Sequence, residues 1–316
     1  MEQEQFNYAV TFSAPEVYPA EVHYGYLTND KKEMVAGVPK AGSVEGGWQY
    51  DGTKAGQGGN EIPTHLNVTY VSYVDKKFYQ ADVNLPKEKM LQLFRQGFEV
   101  EKRKDGGYYW EYSTYNVLNI GAAPGGVVVV WLSGNHHRTE IGRYQAKEVF
   151  VDVNDFYDNP HARTQKGFFD ELYKIMIPEE TKAKIDKEGV PYGLWDKYRE
   201  KYKYRFVLQS YHEEDYIKQV FRINYNGESE YLKAKEDVEK YKEDSVPYDV
   251  IFFFTKYNVE LKFDDTELLN AFETLKKEYP NEPIDFVIKP DFMYKSYKAY
   301  VKCKDKTIEL TKVTRR

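Results

Sequence analysis

The 316-residue sequence contains a single cysteine, Cys303, and carries little excess charge. One cysteine excludes an intrachain disulfide and a zinc site built from cysteines. The net charge is −6, from 45 basic and 51 acidic residues, which argues against the basic field that general nucleic-acid binding requires. An uninterrupted run of about 18 apolar residues, the minimum for a membrane-spanning helix, is also absent. The sequence therefore predicts neither a nucleic-acid partner nor a transmembrane segment.

Signatures of catalysis and of cofactor binding are absent as well. Ala122–Gly126 is glycine-rich, like a phosphate-binding loop, but it lacks the Lys-Ser/Thr pair and precedes a predicted strand. Glycines in that position more often mark a bulge or a close backbone approach. His136 and His137 are adjacent, which favours a solvated hairpin tip over a metal site. The sequence thus predicts no catalytic residue, no metal and no cofactor.

Tyrosine is abundant, with 30 residues beside 18 phenylalanines and 4 tryptophans. Aromatic residues suit the half-buried surface of a β-sheet, and many of these tyrosines fall in predicted strands. Tyrosine also supplies rigid contact area to a binding surface. The strand interpretation is favoured, and a partner-binding role for some tyrosines stays open.

Two parts of the chain follow the same order of elements. Ile62-Pro63 opens an apolar run that ends at Tyr73, and Val246-Pro247 opens another, 184 positions later, that ends at Tyr257. A second apolar strand and an amphipathic helix follow each run. The two helices are predicted at Pro86–Phe98 and Thr266–Tyr279. The pattern predicts an α+β fold of two pseudo-repeats, each a mainly antiparallel sheet with one packed helix.

Two further features predict where the core lies. Phe94 and Phe272 each stand three residues after a leucine on the apolar face of their helix, so both are predicted to be buried. Val127–Leu132 contains four consecutive valines, which predicts an interior strand with neighbours on both sides.

A helical insertion is predicted between the two halves. Its helices are expected at Lys166–Ile177, from Pro178 to Gly189, and at Asp196–Tyr202. The predicted segments are a first α+β half at 1–154, the helical insertion at 155–205 and a second α+β half at 206–316.

Three segments carry a family resemblance. They are Gly121–Gly134 (GAAPGGVVVVWLSG), Gly142–Glu148 (GRYQAKE) and Gly189–Arg199 (GVPYGLWDKYR). With Tyr18-Pro19 and Gly47-Trp48 they resemble the bacterial domain of unknown function 2931, which is common in Bacteroidota. Members of that family are often lipoproteins, so the resemblance implies an envelope location, although residues 1–5 lack the features of a secretion signal and leave the cytoplasm open. The resemblance implies no activity and no catalytic residue.

The sequence supports two hypotheses of function. The first is a non-enzymatic factor that binds a protein partner, such as an immunity or envelope-associated protein. Its predicted binding residues are Tyr192, Trp195, Tyr198 and Tyr202, of which the last three would share one face of a helix. The alternative is a protein that binds or hydrolyses carbohydrate or peptide in an aromatic cleft between the halves. The tryptophans expected to line that cleft are Trp48, Trp110, Trp131 or Trp195.

Overall fold

The computed structural model describes residues 5–43, 47–104, 107–156, 164–209, 212, 214–233, 235–291 and 296–315. The chain divides into two compact units, called unit 1 (Met1–Trp195) and unit 2 (Asp196–Arg316). The three-segment division with boundaries at 154 and 205 stays a prediction. Among the described residues, every helix is too short or too polar to span a bilayer.

Strands dominate unit 1. Its described strands are β1 (Tyr8–Ser13), β2 (Ala20–Thr28), β3 (Met34–Gly37), β4 (Thr53–Gly59), β5 (His65–Ser72), β6 (Lys77–Asn84), β7 (Phe98–Lys104), β8 (Gly107–Ser113), β9 (Val117–Ala123), β10 (Val127–Gly134), β11 (His137–Gln145) and β12 (Lys147–Val149). Its described helices are α1 (Lys87–Gln96), α2 (Val153–Phe156), α3 (Gln165–Met176), α4 (Glu179–Glu188) and α5 (Leu194–Lys197), which crosses the division between the units.

The strands of unit 1 form two sheets and a separate hairpin. The first sheet has the order β4-β1-β9-β10-β11 and the second has the order β12-β6-β5-β2-β3. Strands β1 and β9 are parallel, and the other neighbours are antiparallel. Strands β7 and β8 pair only with each other among the described residues. The α+β class and the mainly antiparallel pairing are confirmed. The first half was predicted to contain one sheet and one packed helix, but unit 1 contains two sheets.

The core of unit 1 lies between its two sheets. Phe12 of β1 and Tyr70 of β5 meet across it, with ring centroids 6.1 Å apart. Phe94 of α1 belongs to the same core and is 2% exposed, as predicted. Every residue of Val127–Leu132 is buried within β10, which pairs with both β9 and β11. The prediction of an interior strand is therefore confirmed.

Helices α2 and α3 cover one end of the outer face of the second sheet. Phe78 of β6 lies 5.4 Å from the Phe156 ring, 6.3 Å from Phe168 and 5.7 Å from Phe169, measured between centroids. Helix α3 begins at a Thr164 cap whose hydroxyl accepts a hydrogen bond from the Gly167 amide. The predicted helices at Lys166–Ile177 and after Pro178 are thus confirmed as α3 and α4.

Unit 2 is described by the same kinds of element. Its described strands are β13 (Tyr202–Leu208), β14 (Ile217–Asn224), β15 (Ser229–Leu232), β16 (Lys242–Asp244), β17 (Pro247–Phe254), β18 (Asn258–Phe263), β19 (Ile284–Pro290), β20 (Tyr297–Cys303), β21 (Lys306–Leu310) and β22 (Val313–Arg315). Its described helices are α6 (Lys235–Val238) and α7 (Asp265–Glu278). The predicted helix at Asp196–Tyr202 is wrong, because α5 ends at Lys197 and Tyr202 begins β13.

The sheets of unit 2 have the orders β16-β13-β19-β20-β21 and β15-β14-β17-β18-β22. The pair β13–β19 is parallel and the other neighbours are antiparallel. Helix α7 begins as predicted, with Asp264 Oδ1 accepting from the Glu267 amide at 2.9 Å. The Glu267 carboxylate accepts from the amides of Thr311 and Lys312, so it ties α7 to the C-terminal strands. Phe272 is fully buried, as predicted.

Candidate functional site

The carboxylate of Asp75, in the turn between β5 and β6, collects several hydrogen bonds in unit 1. Its Oδ2 accepts from Ser72 Oγ at 2.9 Å and from the Gly125 amide at 2.8 Å. Its Oδ1 accepts from Tyr192 Oη at 2.7 Å. The backbone amide of the glycine-rich turn therefore donates to a carboxylate of the same chain.

The three segments of the family resemblance converge at this turn. Gly125 has φ 78°, and a Cβ on it would lie 2.9 Å from Tyr192 Cδ1, so glycine is required both for the backbone and for the close approach. Gln145 Nε2 donates to the Gly125 carbonyl at 2.7 Å, and the Ala146 amide donates to the Gly126 carbonyl at 2.8 Å. The shared motifs thus serve to fix the residue 189–195 segment on the turn between β9 and β10.

Tyr192 acts as a hydrogen-bond donor in this arrangement. Burial, followed by the hydrogen bond to the Asp75 carboxylate, raises the pKa of the Tyr192 phenol to about 12. The phenol therefore keeps its proton at neutral pH, and the exposed ring is held in one orientation by its hydroxyl.

We expect Tyr192→Phe to lower the free energy of unfolding by about 1 kcal/mol, because one hydrogen bond to a carboxylate is lost at an exposed position. Urea denaturation measures the change. Tyr216→Phe is the matched control, since that tyrosine is 60% exposed and Tyr192 is 61% exposed. Equal stabilities for the two variants would show that the bond to Asp75 contributes nothing.

The four residues predicted to bind a partner have very different exposures. The exposed fractions are 61% for Tyr192, 2% for Trp195, 7% for Tyr198 and 2% for Tyr202. Trp195 packs within unit 1, where its ring lies 5.6 Å from Tyr18. Tyr198 packs within unit 2, stacking on Tyr225 and donating to Asp265 Oδ2 at 2.5 Å.

The Tyr202 ring meets Phe272 of α7 edge-on at 5.2 Å, so it also packs inside unit 2. A helical stripe of Trp195, Tyr198 and Tyr202 does not form, because the chain leaves the helical conformation after Lys197. Tyr192 is the only one of the four that presents its ring to solvent. The role of the four residues in partner binding stays a prediction.

Three of the four tryptophans form a buried cluster in unit 1. The rings of Trp48 and Trp131 meet at 87° with centroids 5.0 Å apart, and Trp195 lies 6.4 Å from Trp48. All three are at most 2% exposed, so their faces are not available to stack on a ligand. Trp110 is 49% exposed and lies on β8.

The hairpin β7–β8 presents an exposed face of acidic and aromatic side chains, called here the acidic–aromatic face. It consists of Glu99 and Glu101 on β7 and Trp110 and Tyr112 on β8. Glu99 is directly opposite Tyr112, and Glu101 is directly opposite Trp110, so the four side chains lie on one side of the hairpin. All four are exposed.

The other side of this hairpin attaches it to the core of unit 1. Phe98 packs on the core cluster and stacks on His137 at 3.9 Å, and Val100 is buried. The Tyr112 hydroxyl donates to the Arg95 carbonyl at 2.5 Å, which fixes the ring while leaving it 61% exposed. Sequence reasoning missed this face, although the alternation of acidic and apolar residues from Phe98 to Glu101 signals a strand.

The residues considered for metal binding do not form a site. His137 is engaged by Phe98, and its Nδ1 lies 3.2 Å from the Asn135 carbonyl oxygen. Across the part of the chain that the structure describes, no group of three His, Cys, Asp or Glu side chains is placed to hold an ion.

Comparison with known proteins gives one match. The family model described as protein of unknown function (DUF2931) matches residues 1–193, which is nearly the whole of unit 1. No curated protein and no solved structure matches the chain. The match covers more than half of the chain, and the chain therefore belongs to the DUF2931 family.

Proposed function

We propose that this protein is a non-enzymatic factor that binds a protein partner through the acidic–aromatic face of hairpin β7–β8. The observation that carries the proposal is the pairing of two exposed carboxylates with two exposed rings, Trp110 and Tyr112, on one side of a hairpin. Tryptophan and tyrosine are the residues most enriched at binding hot spots.

The charge of the acidic–aromatic face favours a partner with a basic contact surface. Glu99 and Glu101 lie beside the rings, and the faces of tryptophan and tyrosine attract cations as carboxylates do. A lysine- or arginine-bearing segment of a partner would therefore meet complementary groups on both strands. An immunity protein that neutralises a basic toxin surface, or an envelope-associated adaptor, is the finer form of the proposal.

The position of the hairpin in the chain supports its choice as the binding surface. The two units share an order of strands, and the hairpin is an addition to that order in unit 1. It lies between α1 and β9, whereas α7 and β19 are joined by the five residues 279–283. The hairpin packs on the core through Phe98, so substitutions on its outer face would leave the core packing unchanged.

The test uses the full chain as bait in extracts of its native host, with captured proteins identified by mass spectrometry and affinities measured on the purified partner. We expect Trp110→Ala and Tyr112→Ala each to weaken binding by about 1–4 kcal/mol while the melting temperature stays nearly unchanged. Glu101→Lys should slow association, and added salt should weaken the wild-type complex.

Tyr216→Ala is the control, because Tyr216 and Tyr112 are exposed to almost the same extent, 60% and 61%. Binding that survives the double variant Trp110→Ala/Tyr112→Ala would reject the hairpin as the binding surface. A captured partner that is acidic at its contact surface would reject the proposed charge complementarity.

We also propose that the two units arose by internal duplication. Support comes from the matching order of strand neighbours, including one parallel pair at the same place in each unit, β1–β9 and β13–β19. Tyr8 Oη donates to the Glu61 carbonyl at 2.7 Å, and Tyr204 Oη donates to the Ser245 carbonyl at 3.0 Å. Glu61 and Ser245 each precede an Ile-Pro or Val-Pro pair and stand 184 positions apart.

A further inference from the structure

We propose that the open end of the outer face of the second sheet of unit 1 is a binding site for a neutral oligosaccharide. This site is separate from hairpin β7–β8. A cleft of about 670 Å³ lies there, bordered by Tyr26 and Thr28 of β2, His65 of β5 and Asp82 and Asn84 of β6. That volume is within the range of about 300–1,000 Å³ typical of small-molecule sites.

Strand register places the cleft side chains in rows on one face. Thr28 is opposite His65, which is opposite Asn84. One rung along, Tyr26 and Asp82 are both opposite Asn67 of β5. Side chains alternate along β5, so Leu66 and Val68 point into the core while His65 and Asn67 point to the opposite, outer face.

Charge balance in the cleft favours a neutral ligand, because its lining holds two carboxylates, Asp30 and Asp82, and two ammonium groups, Lys32 and Lys87. The carboxylate of Asp30 pairs with Lys87, and Asp82 Oδ1 lies 2.5 Å from His65 Nε2. Each carboxylate thus already has a cationic or imidazole partner, and an added net charge on the ligand would disturb one of these pairs. The His65 contact, together with burial as an opposing effect, leaves the pKa of the Asp82 carboxyl below its usual range, so the group is an acceptor at neutral pH.

Hydroxyl groups both donate and accept, and the cleft offers matching groups of both kinds. The Asp82 carboxylate accepts, and the side-chain amide of Asn84, which lies 3.1 Å from His65 Nδ1, carries both an acceptor oxygen and a donor nitrogen. Tyr26 borders the cleft, and the neighbouring Tyr24 ring, which is 59% exposed, extends this aromatic surface with its centroid 5.5 Å from that of Tyr26. Such rings pack against the apolar C–H face of a sugar while the polar groups bind its hydroxyls.

The corresponding place in unit 2 carries different side chains. The rung of His65 and Asn84 corresponds in strand order to the rung of Asp249 and Lys262 on β17 and β18. Lys262 Nζ lies 3.3 Å from Asp249 Oδ2 and over the Tyr248 ring, and the two charged side chains are only 15% and 9% exposed. At the position where unit 1 has the cleft residues His65 and Asn84, unit 2 therefore has an ion pair with little exposed surface.

The test is calorimetric titration of the full chain with oligosaccharides of glucan, xylan, mannan and chitin. We expect one of these neutral series to bind, and Tyr24→Ala and Asn84→Ala each to weaken binding by about tenfold, the loss of one stacking or hydrogen-bonding contact. Both residues are exposed, so neither change removes core packing. Tyr112→Ala on the hairpin is the control and should bind as the wild type does.

Three outcomes would overturn the inference. They are no binding by any neutral series, binding that is unchanged in both cleft variants, and preferential binding of sulfated or uronic-acid polymers that is lost on Lys32→Ala. Partner capture by the hairpin is measured separately, so failure at the cleft does not bear on the proposed protein-binding function.

Discussion

Phe94→Ala is expected to lower the free energy of unfolding of unit 1 by about 3–5 kcal/mol, the cost of removing a buried aromatic ring and leaving a cavity. Phe94 is 2% exposed and fills the space under α1. Its ring stacks on Phe6 at 4.8 Å and also meets Tyr8 and Tyr115. Because these neighbouring rings are held by strands as well as by the helix, we expect the cavity to persist in the variant.

Phe272→Ala should have a similar cost in unit 2. Its ring is fully buried beneath α7, between Tyr202 at 5.2 Å, Tyr204 at 5.3 Å and Phe286 at 6.0 Å. The two phenylalanines are thus equivalent in helix, in burial and in having a tyrosine of the first strand of the unit as neighbour.

The distribution of tryptophan lets one experiment measure the two variants separately. All four tryptophans lie in unit 1, so their fluorescence follows that unit, whereas far-ultraviolet circular dichroism follows the strands of both. Gln92→Ala and Asn270→Ala, at exposed positions of α1 and α7, are controls expected to stay within about 0.5 kcal/mol of wild type. A loss below about 1 kcal/mol for either phenylalanine would contradict its assignment to the core.

The helices and their buried faces could be predicted from sequence because the signals are local. The Asp264 cap, the spacing of Leu269 and Phe272, and the valines of β10 each act within a few residues. The hairpin β5–β6 was equally local, since the two strands are adjacent in the chain. Such contacts follow from periodicity and turn chemistry alone.

The sheet that contains the parallel pair could not be predicted in either unit, because that pairing joins strands distant in sequence. Strand β1 is parallel to β9, with Val10 opposite Leu118, and no local pattern marks that register. The solvent exposure of a side chain could not be predicted from local sequence either. Tyr198 and Tyr112 are both tyrosines in charged surroundings, yet the first is 7% exposed and the second 61% exposed. Which of them faces solvent depends on distant strands and not on the neighbouring residues.

The candidate sites illustrate this difference further. The missing lysine distinguishes the glycine-rich turn from a phosphate loop in sequence, but the carboxylate that accepts from its amide, Asp75, lies 50 positions away. The cleft beside His65 depends on three strands in register, so spacing along the chain gave no sign of it. A site whose side chains come from different strands can be identified only when the order and register of those strands are known.

Arg138→Met is expected to destabilise unit 1 by about 3–5 kcal/mol, because the guanidinium is 4% exposed and its loss removes several contacts made in a buried environment. Its Nη1 donates to the Trp48 carbonyl at 3.0 Å, and its Nη2 donates to Asn119 Oδ1. The guanidinium carbon also lies 4.0 Å from the centre of the Trp131 ring. Arg138→Lys should recover little, since an ammonium cannot reproduce this planar set of contacts.

A double-mutant cycle with Asp51 separates the ion pair from the other contacts of Arg138. Arg138 Nε and Asp51 Oδ1 are buried atoms 3.6 Å apart, too far for a hydrogen bond, and the rest of the Asp51 side chain is 28% exposed, so water screens part of the carboxylate charge. We therefore expect Asp51→Asn to cost only about 1 kcal/mol, and the double variant Arg138→Met/Asp51→Asn to be nearly as unstable as Arg138→Met. Urea denaturation followed by tryptophan fluorescence measures all three. If Asp51→Asn instead restored most of the stability lost in Arg138→Met, the unpaired carboxylate would be the main cost, and the contacts of Arg138 with Trp48, Asn119 and Trp131 would be secondary.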